Sequence, residues 1–214
     1  MTEDVLIIFV KYPEPGKVKT RLARAIGEGG ASRLYRLMAE DTVGRLGARG
    51  SGRHRNNGEY ETIVFYDPPE KFQEIKDWLG GGLRYIEQSG KNLGERLAGA
   101  FDVVFCAGAR RVAVVGTDCP GVTQDTVTKA LARLREKDVV IGPAADGGYY
   151  LIGLSRNAPE LFASIDWSTD MVFNQTLENV ERLGLSFTTL EVMKDVDELS
   201  DLSAEQLHSI ERKA

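Results

Sequence analysis

The 214-residue sequence predicts an α/β fold, a largely parallel sheet of about seven strands with helices on both faces. Three observations predict it. Short apolar runs rich in β-branched residues recur along the chain, helical patterns separate them, and the first run, Asp4 to Lys11 (DVLIIFVK), does not alternate with polar residues. Unbroken apolarity marks a strand buried on both faces, and alternating strand and helix imply right-handed βαβ crossovers.

Taken in order, the strands are expected at Asp4 to Lys11, Glu61 to Tyr66, Leu83 to Glu87, Arg111 to Gly116, Asp138 to Gly142, Tyr149 to Gly153 and Ser186 to Val192. Helices are expected between them. Ala31 to Leu46 places Leu34, Leu37 and Met38 at helical spacing, Lys71 to Leu79 and Asn92 to Phe105 follow, and Thr123 to Arg135 aligns Val127, Ala130, Leu131 and Leu134. Thr169 to Leu183 is stopped by Gly184, with Ser168 or Thr169 as its cap, and Asn157…Glu160 and Ser203…Gln206 read as further helix starts. The segment Arg49 to Tyr60 is polar and Gly-rich, which reads as a surface loop. With no linker elsewhere, residues 1–214 are expected to form one domain.

Composition excludes several classes of function. At 42% hydrophobic and 28% charged residues the chain is neither disordered nor coiled coil, and a net charge of −5 argues against nucleic acid as a partner. The first apolar run is far shorter than the roughly 20 residues of a membrane span and no signal-peptide pattern precedes it, so a cytoplasmic location is expected. Cys106 and Cys119 provide neither a disulfide framework nor a thiolate metal site, and His54 and His208 are the only imidazoles. Chemistry is left to carboxylates, cations or a metal.

Three segments carry that chemistry. After the first strand, Lys11 to Arg24 holds five cations (Lys11, Lys17, Lys19, Arg21 and Arg24) against the single anion Glu14, within an acidic chain. A Gly-containing loop between a buried strand and a helix presents backbone N–H groups and a positive helix end, and with these cations it suits a pyrophosphate. The alternative is a basic turn balancing acidic surface. Val18 stands where a Walker A loop needs Ser or Thr, and Lys11 where it needs Gly.

The second segment is Gly116-Thr117-Asp118-Cys119-Pro120, following the fourth predicted strand. An acid at the carboxyl end of a parallel strand sits where such sheets bind ligands, which makes Asp118 the first candidate for a Mg2+ or Mn2+ ligand and helix capping its structural alternative. The third, Asp146-Gly147-Gly148-Tyr149, repeats the pattern of strand, then Gly and Pro, then acid, and suits either a hairpin turn or an acceptor site with Asp146 as base. Trp167 either packs or offers an aromatic face for a sugar or base, and Asp195-Val196-Asp197 is either a solvated acidic turn or the source, through Asp195 or Asp197, of a second metal ligand.

As a set, Lys11-x-Pro13-x-Pro15-Gly16-x-Val18-Lys19-Thr20-Arg21-Leu22, Gly116-Thr117-Asp118-Cys119-Pro120, Asp146-Gly147-Gly148-Tyr149 and Asp195-Val196-Asp197 resemble the glycosyltransferase-A-like selenodomain-associated transferases, relatives of the 2-phospho-lactate guanylyltransferases. The resemblance spans nearly the whole chain. It implies a three-layer α/β/α sandwich of nucleotide-diphospho-sugar transferase type, whose mixed sheet has one antiparallel strand. The L-x-A-G-G-x-S-x-R-M loop of many sugar nucleotidyltransferases is absent, and Pro120 breaks a strict D-x-D, so base contacts are not carried over.

The resulting expectation is a metal-dependent transferase using a nucleotide-activated donor, with glycosyl transfer from a nucleoside-diphosphate sugar leading. Nucleotidyl transfer with release of pyrophosphate and a non-catalytic nucleotide-binding module are the alternatives. The expected catalytic residues are Asp118, Asp146 and Lys19. The expected substrate contacts are Pro15 to Arg21 (Pro15, Gly16, Lys17, Val18, Lys19, Thr20 and Arg21), together with Thr117, Gly147, Gly148, Tyr149 and Trp167. The acceptor and the oligomeric state are left open.

Overall fold

The computed structural model describes residues 2–47, 60–196 and 201. Its strands are β1 (Asp4–Lys11), β2 (Glu61–Asp67), β3 (Arg84–Glu87), β4 (Arg111–Val115), β5 (Val139–Pro143), β6 (Tyr149–Leu154) and β7 (Phe187–Thr189). They form one seven-stranded sheet in the order β3-β2-β1-β4-β6-β5-β7. β6 runs antiparallel to both β4 and β5, and every other pairing is parallel. The mixed α/β/α architecture is thus as the sequence predicts.

β1 lies inside the sheet, flanked by β2 and β4. Its Leu6, Ile8 and Val10 enter the cluster beneath α1 (Thr20–Leu46), α2 (Phe72–Leu79) and α4 (Gln124–Arg133). Val5 and Ile7 enter the opposite cluster, beneath α3 (Leu93–Cys106) and α5 (Val172–Arg182). All five are fully buried, which accounts for the lack of alternation. Each such side chain contributes about 1.5–3 kcal/mol of burial free energy.

Side-chain caps open two of the expected helices. Asn92 Oδ1 accepts the Glu95 N–H at 2.9 Å at the start of α3, and Thr123 forms a reciprocal capping box with Thr126 at the start of α4. Other boundaries move. α1 starts at Thr20 and kinks at Gly27, so it continues N-terminal of the periodic stretch, and α5 starts at Val172 without a side-chain cap. Thr169 instead donates to the Asp166 carbonyl at 2.7 Å, closing a turn before the helix. Asn157…Glu160 leads only into a 3-10 turn at Pro159–Phe162 because the chain leaves helical geometry at Ala163, and β7 shrinks to three residues. The loop 49–59, both histidines and the Ser203…Gln206 helix start lie outside the described residues.

The sheet order reverses between β1 and β4: β2 and β3 build outward on one side, and β6, β5 and β7 on the other. The crevice beyond the carboxyl ends at such a switch point is the usual ligand site of an open α/β sheet.

Candidate active site

The acidic tip and the two ends of the basic segment, Lys11 and Arg21, open into that crevice. β1 ends at Lys11, and Tyr12 to Val18 turn back as the Lys17 N–H donates to the Glu14 carbonyl at 3.0 Å. That N–H is therefore used within the loop. Val18 is buried against Tyr35 and Ala39 and anchors the loop on α1. Lys19 then adopts φ 47° and ψ 47°, a left-handed conformation costly for a residue with a Cβ. It delivers the Lys19 side chain, 4% exposed, to Asp118, whose Oδ1 lies 3.0 Å from Lys19 Nζ.

Tyr35 joins the two strand ends from below. Its hydroxyl accepts the Lys11 N–H at 2.8 Å and the Thr117 hydroxyl proton at 3.1 Å, which ties the end of β1 to the turn after β4. Burial, reinforced by the negative charge of Asp118, pushes the Tyr35 phenol well above its ordinary range, so it is a neutral structural post.

A late segment completes the acidic side. The Val196 N–H donates to the Asp118 carbonyl at 3.1 Å and the Ala145 N–H to the Met193 carbonyl at 2.8 Å. Residues 193–196 are thereby held against both the β4 tip and the β5–β6 hairpin, bringing Asp195 into the cavities that Asp118 lines. The buried Cys119 thiol is pushed up to about 12 by burial and by the Asp195 charge, so it is a packed neutral group rather than a nucleophile.

Two adjoining cavities share Leu93, Asp118, Tyr149 and Asp195. The first, about 280 Å³, lies over the ends of β1, β2 and β4 and reaches Phe9, Lys11, Asp67, Gln88, Arg96 and Thr117. The second, about 510 Å³, is walled by Arg21, Asp146, Gly148, Trp167, Thr169 and Asp170. Asp146 Oδ1 accepts the Gly148 N–H at 3.0 Å, so the Asp-Gly-Gly segment is at once the hairpin turn and a cavity wall. Gly147 lies behind this wall. Trp167 meets Tyr149 edge-on at 6.5 Å and packs on α3, where a Cβ on Gly94 would come within 2.7 Å of its Nε1.

Arg21, Thr117, Asp118, Asp146, Gly148, Tyr149, Trp167 and Asp195 therefore line one crevice, and Lys19, which lines neither cavity, is tied to it through Asp118. Pro15, Gly16, Lys17, Val18 and Thr20 line neither cavity, and Asp197 lies outside the described residues. Sequence reasoning missed Tyr35, the Asp67–Arg96 ion pair at 3.2 Å and Asp170. Asp67 had a signal: it ends a parallel strand before Pro68, the same arrangement that singles out Asp118.

Among the described residues no group of three or more His, Cys, Asp or Glu side chains is arranged around a metal position. The donors nevertheless suit a hard divalent ion. Asp118 and Asp195 offer carboxylate oxygens to a shared cavity, and Asp118 already holds a cation, the Lys19 ammonium. Magnesium characteristically takes one or two carboxylates and fills its shell with phosphate oxygens and water.

Sheet order, switch point and reversed β6 define the nucleotide-diphospho-sugar transferase fold class. The chain belongs to the family described as "Uncharacterized protein conserved in bacteria (DUF2064)", whose model matches residues 52–169. A solved structure from Desulfovibrio desulfuricans G20, provisionally named a nucleotide-diphospho-sugar transferase, is 33% identical with a TM-score of 0.84, covering 100% of this chain and 95% of that one. A nucleotidyl transferase from Methanothermobacter thermautotroptrophicus is 18% identical with a TM-score of 0.60, covering 100% of both chains. Rv0371C from Mycobacterium tuberculosis H37Rv, solved as a complex with manganese, is 13% identical with a TM-score of 0.50, again covering 100% of both. No curated protein matches the sequence. No helix among the described residues is long and apolar enough to cross a membrane.

Proposed function

We propose that this chain, acting as a single cytoplasmic domain, is a metal-dependent transferase that uses a nucleotide-activated donor and transfers a glycosyl group from a nucleoside-diphosphate sugar. The observation that carries the reading is the buried Lys19 ammonium 3.0 Å from Asp118 at the switch point. A cation and a potential metal ligand stand together where a diphosphate would bridge them. Support for a nucleotide-using transferase also comes from the names of the Desulfovibrio and Methanothermobacter proteins.

In this reading the nucleoside occupies the smaller cavity and its diphosphate lies where the two cavities meet, at Asp118 with its Lys19 partner and toward Arg21. Asp118 and Asp195 would hold Mg2+ or Mn2+, which supplies charge neutralisation for the departing diphosphate. Lys19 contributes to the same end through a preorganised charge-assisted hydrogen bond. The acceptor enters the larger cavity beside Trp167. As its hydroxyl oxygen bonds to the anomeric carbon, the bond from that carbon to the diphosphate breaks with its electron pair, and the hydroxyl proton passes to Asp146.

Product analysis tests the reading. The chain is incubated with nucleotide sugars and with nucleoside triphosphates, each with Mg2+ or Mn2+ and an acceptor panel. Release of nucleoside diphosphate from a nucleotide sugar is expected. Pyrophosphate release instead assigns nucleotidyl transfer, and nucleotide binding without either product assigns a non-catalytic module.

A further inference from the structure

Resting on the donor reading above, we infer that the acceptor is an uncharged polyhydroxyl compound, and that Asp146 and Asp170 exclude its phosphorylated counterpart from the larger cavity. The charged side chains lining that cavity are four carboxylates, Asp118, Asp146, Asp170 and Asp195, against the single guanidinium of Arg21. Lys19 offsets Asp118, and a metal ion would offset Asp118 and Asp195 further. Asp146 and Asp170 lie on the far walls, both exposed, and neither forms an ion pair among the described residues.

These two walls are locked together. Gly147 has φ +89°, and a Cβ there would overlap the Asp170 backbone carbonyl. The Phe173 N–H donates to the Gly147 carbonyl at 2.9 Å. Behind Asp170, the Asp166 N–H donates to Gln175 Oε1 at 2.7 Å and Gln175 Nε2 donates to Asp166 Oδ2 at 2.8 Å. The carboxylates thus belong to a braced wall, and a phosphomonoester, at about −1.5 to −2 charges near neutral pH, meets like charge there. Hydroxyl groups instead find acceptors in both carboxylates and an apolar face in Trp167. Two cations, Lys11 and Arg96, line the smaller cavity, whereas Arg21 alone lines the larger.

The test uses saturation-transfer NMR at low ionic strength, with a saturating nucleoside diphosphate, on two competing pairs: glucose with glucose 6-phosphate, and glycerol with glycerol 3-phosphate. The unphosphorylated member should bind about tenfold tighter or better, because like-charge juxtaposition discriminates strongly against the wrong ligand. Combining Asp146→Asn with Asp170→Asn should reduce that preference to about threefold or less. Preference for the phosphorylated members, binding of neither member, or a preference unchanged in the double variant overturns the inference. Calorimetry of the diphosphate on the wild-type chain separates the two readings. Loss of diphosphate binding defeats the donor reading, whereas intact diphosphate binding with a reversed acceptor preference defeats this inference alone.

Discussion

Lys19 Nζ lies 3.0 Å from Asp118 Oδ1 with its side chain 4% exposed, whereas the Asp118 side chain is 47% exposed. The pair is therefore asymmetric: the lysine depends on the carboxylate more than the reverse. Removing the Asp118 charge leaves a desolvated ammonium with less compensation, and the half-exposed carboxylate moderates the loss through solvent screening. Asp118→Asn should lower unfolding stability by about 1–2 kcal/mol, read from urea denaturation. The same substitution made on Lys19→Met should cost clearly less. Equal costs in both backgrounds would show that the two side chains do not stabilise each other.

Gly147 meets two independent demands, a positive φ and contact too close for a Cβ against the Asp170 carbonyl. Gly147→Ala should destabilise the chain by about 2 kcal/mol or more, because strain and overlap act together. Gly108, with φ +98° and open space around it, supplies the comparison, since alanine there adds backbone strain alone. Thermal unfolding of both variants checks this, with Gly147→Ala melting at the lower temperature.

Asp138 staples the start of β5 to the start of β7. The Ser186 N–H donates to its Oδ2 at 2.9 Å and the Ser186 hydroxyl at 2.8 Å, with Arg156 Nε 3.1 Å from Oδ1. The Ser186 backbone bond chiefly, with its hydroxyl and the Arg156 charge, holds the carboxyl below its ordinary value of 3.8. A depressed folded-state pKa means that the unfolded chain takes up protons first. The stabilisation is present above that ordinary value and is lost as pH falls through the folded one. The urea midpoint of the wild-type chain should exceed that of Asp138→Asn at pH 6, and the gap should narrow as the pH is lowered below 3.8. A constant gap would mean that the staple is not electrostatic.

Much of the fold is legible because burial on both faces leaves an unmistakable mark. β1 is recovered to the residue, and the helices expected from Asn92 and Thr123 start one residue later, those two residues serving as their caps. β7 is overextended because Ser186 to Val192 looks like a strand locally, whereas pairing with β5 lasts only from Phe187 to Thr189. The site is legible where an acid follows a strand, as at Asp118 and Asp146. It is illegible where a residue acts through tertiary contact. Tyr35 occupies an ordinary inward position of α1, and only the approach of β1 and β4 gives its hydroxyl two donors. Arg96 likewise gains its role through Asp67, distant in sequence.

The reversal of β6 reaches beyond topology. A strand running against its neighbours begins where they end, so Tyr149 enters the sheet at the rim that β1 and β4 leave. The hairpin ahead of it therefore carries Asp146 and Gly148 to the same end of the sheet at which β1 gives way to the basic loop. On the proposed reading, a change confined to that hairpin alters the acceptor side of the crevice and leaves the donor side as it is.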